Sequence, residues 1–366
     1  MRMLEEDNKW LVEQFGASRV SELKEAPDFY TFNNGLMYSH RDFDKYFTAL
    51  KKGEKCSIVS GFNASAAPHI GHISVFDTNL FFQKKYDVSV FIPISEDESY
   101  VSGKVETQQE GLRNALVLAK AMVAFGFDTS KTKLIIDQLY TNIYNLAIKL
   151  SRGVTLSQIK AVYGYSADQN IGLHFYPTVQ AAHVLLPETL GIPNVLVPIG
   201  PDEDSHLRTC RDLADKFGYK KPAVLHSIFM PGLDGEKMSK SRGNAIFLLD
   251  DEKEIKKKIM SAFSGGATSA EEHRKKGGNP DVDMSYLYLK SFFLSPSESK
   301  RVHDEYKSGK MLSGEMKQLL LEHVLKRTRE FKERYQKVTV KDLEKVVLTN
   351  AETDLAAIAQ KSGVFG

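Results

Sequence analysis

The stretch Ser57-Ile-Val-Ser-Gly-Phe-Asn-Ala-Ser-Ala-Ala-Pro-His-Ile-Gly-His72 decides the fold. Ile58-Val59 is strand-like, Gly61 and Pro68 mark a turn, and Ile73, Phe76 and Leu80 recur afterwards at helical spacing. The stretch therefore reads as strand, tight turn and helix, with His69 and His72 at the helix entrance. Such an entrance offers free backbone N–H groups and the positive end of the helix dipole to a phosphate. Gly61 lies in the turn, and Gly71 has no side chain to obstruct a nucleotide lying against it. On its own the pattern is short, and a histidine near a turn is ordinarily a packing or surface residue.

A second stretch, Glu236-Lys-Met-Ser-Lys-Ser-Arg-Gly-Asn244, places two lysines, two hydroxyls and a glycine in a loop before the strand-like run Ala245–Leu249. Loop lysines are mostly solvated spacers, but a cationic loop following a phosphate-type turn within one α/β region is a far rarer coincidence. Between and around these stretches, apolar strands alternate with amphipathic helices. The strand candidates are Ser57–Gly61, Val88–Ile94, Lys133–Ile136, Asn194–Ile199 and Ala223–His226. Leu112, Ala115, Leu116, Ala119, Met122 and Val123 mark one packed helix. This alternation predicts a doubly wound, Rossmann-like parallel sheet over 56–250, interrupted by helical residues near 141–172.

Residues 1–55 read as an N-terminal extension capping that sheet, with helices at Trp10–Phe15 and Asp42–Lys52 around a turn at Phe32–Gly35. From 251 to 366 sheet signals stop, and helices are expected at Glu252–Ala262, Asp283–Leu294, Ser297–Ser308, Gly314–Lys337 and Val340–Leu348. The fold class is thus α/β with an all-helical C-terminal domain.

Composition restricts the alternatives. Of 366 residues, 42% are hydrophobic and 26% charged, as in an ordinary globular protein. A net charge of +2 neither demands nor excludes nucleic acid, so any RNA contact must come from local patches. Cys56 and Cys210 alone make no zinc cluster or disulfide framework, which fits a reducing compartment. No metal-ligand cluster is expected. The first residues are polar and no run of 18 apolar residues occurs, so neither secretion nor a membrane partner is indicated and a cytoplasmic location is expected.

His69-Ile-Gly-His72 and Lys237-Met-Ser-Lys-Ser241, in this order, resemble the two signatures of class I aminoacyl-tRNA synthetases. The chain is most similar to tryptophanyl-tRNA synthetases of the archaeal and eukaryotic type. That resemblance rests on Gly35–Asp42, Asp202-Glu-Asp204 with Arg208 and Arg211-Asp212, Pro222–His226, Ala262–Gly266, Glu271–Arg274 and Gly277–Asp283. It implies activation of tryptophan by ATP, with Mg²⁺ held mainly by the triphosphate oxygens, and transfer to tRNA. It also implies a homodimer formed through the inserted helices and an anticodon-binding C-terminal domain, with Asp281 and Asp283 in the anticodon-proximal loop.

The activation step moves negative charge onto pyrophosphate, which cations and preorganised donors stabilise. The resemblance assigns that work to Lys240 and Lys237, with His69 and His72 on the phosphates and Met238 and Ser239 contributing loop contacts to the nucleotide. It places Glu98 at the substrate ammonium and Gln180 at a second substrate contact. Three pocket positions depart from the family pattern: Val59 replaces a tyrosine and Pro93 a glutamine, both readers of the indole N–H, and Glu203 replaces a glutamine. Phe62 also stands where the family has an arginine near the phosphates. Two alternatives therefore stay open, a paralogue activating another amino acid and an RNA-binding or regulatory relative without ligase activity.

Overall fold

The computed structural model describes residues 9–64, 67–238, 242–350 and 354–364. Among these residues nine strands form one sheet: β1 (Ser18–Arg19), β2 (Met37–Arg41), β3 (Cys56–Val59), β4 (Phe62–Asn63), β5 (Ser89–Ser95), β6 (Thr132–Ile136), β7 (Asn194–Ile199), β8 (Ala223–Ser227) and β9 (Val347–Leu348). Their order is β1-β2-β8-β7-β3-β5-β6-β9, with β4 beside β5. From β8 to β9 every pairing is parallel, while β1–β2 and β2–β8 are antiparallel. The five strands expected between 57 and 226 form within one or two residues of their expected ends.

Period-two alternation explains the two faces. Ile58, Leu196 and Leu225 enter one core, whereas Val59, Val197 and Val224 enter the other. The first core also takes Leu320, Val324 and Phe331 from the helix Ser313–Lys337, so the helical C-terminal region is packed against the sheet through shared apolar side chains. The second is closed by the helices Asn142–Ser151, Ile171–Thr189 and Asp204–Phe217. The chain runs from β3 outward through β5 and β6, then returns to the other side of β3 as β7 and β8. That reversal opens a crevice beyond the carboxyl ends of β3 and β7, where doubly wound sheets bind ligands.

Three segments depart from expectation. Met37–Arg41, for which no strand is predicted, is one, joined to β8 through an antiparallel register. Val347-Leu348 ends its predicted helix early and pairs with Leu134 and Ile135 of β6, as the β-branched pair Val346-Val347 at the helix end allows. Ala245–Leu249 is not a strand. It bonds to the histidine turn instead, with Ile70 N–H donating to Ile246 O (2.9 Å) and Leu248 N–H to Pro68 O (2.9 Å).

Candidate active site

A cleft of about 480 Å³ opens at the reversal point, and the predicted residues line it from every side. Gly61, His69, Gly71 and His72 come from the loop after β3; Val59 and Pro93 from β3 and β5; Glu98 from the helix Glu96–Val101; Gln180 from Ile171–Thr189; Glu203 from the turn after β7; and Lys237 and Met238 from the cationic loop. Ser239 and Lys240 lie outside the described residues.

The histidine turn is locally determined. His69 N–H donates to His72 Nδ1 at 3.1 Å, which leaves the His72 ring proton on Nε2, and the two rings stack at 3.7 Å. Burial pulls His69 down to about 4, and burial together with His69 pulls His72 well below the usual histidine range. Both rings are therefore neutral and act as N–H donors rather than cations. Phe62 sets its ring edge-on to His72 at 5.2 Å and packs on Phe76 at 4.5 Å, so its place is taken up by ring packing. A methyl group added at Gly71 would lie 3.0 Å from Met238 Sδ and 3.1 Å from the His69 ring, which places the two signatures in contact.

The cationic loop is braced at its base. Asn244 Nδ2 donates to Lys237 O (3.0 Å) and Asp234 Oδ1 (2.7 Å), and Lys237 bridges to Pro231 across an antiparallel pair. The Lys237 ammonium stands over the Phe229 ring and 3.6 Å from Asp202, with 71% of its side chain exposed. It is thus loosely held and open to an anion.

At the other end, charged groups alternate. Lys104 Nζ is 2.9 Å from Glu98 Oε1, and Gln180 Nε2 donates to Glu203 Oε2 at 3.2 Å. Burial, then Asp202, raises the Glu203 carboxyl above the ordinary range. Beneath lies a buried network that sequence reasoning missed. Tyr176 Oη donates to Ser95 Oγ (2.8 Å), Tyr144 Oη to Asp97 (3.2 Å), and His183 Nε2 lies 2.7 Å from Asp137 Oδ1. His183 and His206 are each pulled to about 4, first by burial. His183 follows Gln180 by three residues in an apolar helix, and a polar side chain at that spacing was the available signal.

A second missed group steadies the crevice. Arg41 clamps Asp204 through two hydrogen bonds of 2.9 Å, and His226 and Arg208 complete the carboxylate's shell. Burial alone would raise Asp204, but His226 and Arg41 hold it below the usual carboxylate range. In the C-terminal region, Asp283 is buried: its carboxylate accepts from Tyr286 N–H, Gly265 N–H and Tyr306 Oη, so it holds its loop together, while Asp281 is exposed.

Residues 51–329 match the family model of tRNA synthetases class I (W and Y). With its doubly wound sheet and a cleft joining both signatures, the chain belongs to that family of class I tRNA synthetases. Within it the kinship is with the tryptophan enzymes. The chain is 36% identical to the cytoplasmic tryptophan–tRNA ligase of Saccharomyces cerevisiae over 92% of this chain and 83% of that one. It is also 36% identical to the tryptophan–tRNA ligase of Methanocaldococcus jannaschii over 92% and 95%. The structure of tryptophanyl-tRNA synthetase from Aeropyrum pernix superposes with a TM-score of 0.86 at 30% identity, covering 94% of this chain and 97% of that one.

Proposed function

We propose that this chain is a tryptophan–tRNA ligase: it joins tryptophan to AMP at the expense of ATP, releasing pyrophosphate, and passes the tryptophanyl group to tRNA. The observation that carries this reading is the meeting of the His69–His72 turn with Lys237-Met238 across one cleft, with Glu98, Gln180 and Glu203 at its far end.

The groups divide the work by chemistry. The His72 Nε2–H, at the helix entrance, faces the phosphates. Gly71 leaves room for Met238 and the His69 ring to close on the turn. Lys237, with Lys240 of the same loop, supplies positive charge to the departing pyrophosphate. Glu98, paired here with the Lys104 ammonium, takes the substrate ammonium. The amino acid's carboxylate is then directed at the α-phosphate, and the gain is largely one of orientation. Asp202, at the cleft wall, is a hard oxygen donor on offer to Mg²⁺, which otherwise rides on the triphosphate oxygens and adds charge there.

The reading extends to a homodimer and a cytoplasmic site of action. Ile148, Leu156, Val162 and Ile171, all on the helices between β6 and β7, are exposed, Ile171 by 80%, and offer apolar surface to a second copy. The yeast relative carries the word cytoplasmic in its name, and among the described residues no helix is long and apolar enough to cross a membrane. Asp281, exposed in the C-terminal region, is offered to tRNA.

Tryptophan-dependent exchange of labelled pyrophosphate into ATP, run against all other amino acids, tests the activation step, and charging of a tRNA transcript tests the transfer. Exchange with a different amino acid only, or with none, would overturn the proposal. Sedimentation of the wild-type chain and of Ile171→Asp tests the dimer.

A further inference from the structure

The interior of the amino-acid end of the cleft is apolar where Val59, Pro93, Val184 and Val197 form it. An aromatic ring carrying an N–H needs an acceptor there, because a buried donor left unpaired loses its bond to water without replacement. Most polar groups at this end are already engaged: Glu98 with Lys104, Ser95 with Tyr176, and Glu203 with the amide nitrogen of Gln180. Gln180 Oε1 is unpartnered but belongs to the acidic group that meets the ammonium. His206 Nδ1 is unpartnered too, yet no anchor fixes which of its ring nitrogens carries the proton.

His183 differs on each count. It lines the cleft, is 1% exposed, and its Nδ1 has no hydrogen-bond partner. Its other nitrogen, Nε2, is 2.7 Å from Asp137 Oδ1. A neutral imidazole carries one ring proton, and a carboxylate beside Nε2 draws it there, leaving Nδ1 as a bare lone pair. The ring is kept neutral by burial, which brings it to about 4. Asp97 already accepts from Glu98 N–H and Tyr144 Oη, and Asp137 Oδ2 has no partner among the described residues, so the His183 ring N–H is the donor that meets the Asp137 carboxylate. Asp137 is left as the acceptor of the histidine proton.

We infer that His183 Nδ1 accepts a hydrogen bond from the ring N–H of the substrate side chain, and that His183 is the residue by which this pocket selects an indole over a ring of the same shape without the donor. Asp137 is then a positioning residue, acting only through the tautomer it imposes. The inference rests on the tryptophan reading above and deepens it.

The test compares tryptophan with 3-(1-benzothienyl)alanine, in which sulfur replaces the ring N–H, using pyrophosphate exchange by the full-length protein. Wild type is expected to prefer tryptophan in kcat/KM by on the order of ten- to a hundredfold, the worth of one buried hydrogen bond. His183→Gln, whose amide falls at the Nε2 position and retains the Asp137 contact, should bring that preference close to one. His183→Asn, whose amide falls at the Nδ1 position, should keep much of it.

Should these variants fail to fold, ¹⁵N-histidine NMR of the wild type serves instead. A resonance of unprotonated Nδ1 should shift on adding tryptophan and stay in place with the benzothienyl analogue. Exchange with tryptophan but an unchanged preference in His183→Gln, or no shift specific to tryptophan, overturns this inference and leaves the ligase reading standing. Absence of tryptophan-dependent exchange in the wild type overturns both.

Discussion

Replacing Lys237 with alanine separates what the cationic loop does for folding from what it does for the reaction. The ammonium is 3.6 Å from Asp202, with the two side chains 71% and 53% exposed. Opposite unit charges at about 4 Å in water attract by about 1 kcal/mol, and side-chain entropy and salt reduce exposed pairs to roughly 0–1 kcal/mol. The contact with the Phe229 ring at 5.3 Å adds about 0.5–1 kcal/mol. Urea unfolding of Lys237→Ala should therefore show a loss of no more than about 2 kcal/mol. Catalysis should suffer more. A preorganised group aimed at charge that develops only in the transition state is worth roughly 3–4 kcal/mol, so kcat for pyrophosphate exchange should fall by about 10²–10³. The KM for tryptophan should hardly change, because Lys237 sits at the phosphate end. A variant that keeps its kcat, or whose loss appears wholly in the tryptophan KM, would refute the role given to this lysine.

Asp204→Ala strands Arg41 and His226 without their shared carboxylate, and breaking a buried ion pair of this kind should cost about 3–5 kcal/mol in urea unfolding. Because the folded Asp204 is held below its unfolded range, the stability it contributes is present above about pH 4 and is lost as pH falls toward the folded value, so the variant should be less acid-sensitive than wild type in that range. His69 has the opposite charge type. The unfolded ring takes a proton below about pH 6.5 whereas the folded one waits until about 4, so Tm should fall as pH drops through that window, and His69→Gln should flatten the slope in a calorimetric pH series. A methyl group at Gly232 would lie 2.3 Å from Asn244 Nδ2. Gly232→Ala should thus loosen the base of the cationic loop, lowering kcat roughly tenfold while the tryptophan KM holds, as steady-state exchange kinetics will show.

Much of this architecture was legible in the sequence because its signals are local. Ile58-Val59, Asn194–Ile199 and Ala223–Ser227 are short β-rich runs bounded by turn residues, and each is a buried central strand. The two signatures carry their own turn chemistry, so their loops were found before their meeting was seen. What escaped depends on partners distant in the chain. Met37–Arg41 holds a polar Ser39, His40 and Arg41 and reads as no strand until His226 and Asp204 are known to face it. Asp137 and His183 are 46 residues apart, and each is unremarkable alone in an apolar setting. Asp283 shows the converse: an acidic loop residue looked available to RNA, and Tyr306 and two backbone N–H groups bury it. Phe62 looked like a charge lost from the phosphate site, and ring packing against His72 and Phe76 supplies its physical reason.

The central claim is that one nucleotide is gripped between the His69–His72 turn and the Lys237 loop, with the amino acid beyond it. A crystal structure with tryptophan and a non-hydrolysable ATP analogue tests it most directly. The expected result is phosphates within hydrogen-bond reach of His72 Nε2, Lys237 turned from Asp202 toward them, and the indole bounded by Val59, Pro93 and His183. A nucleotide bound elsewhere, or one left untouched by the turn at saturating ligand, would contradict it.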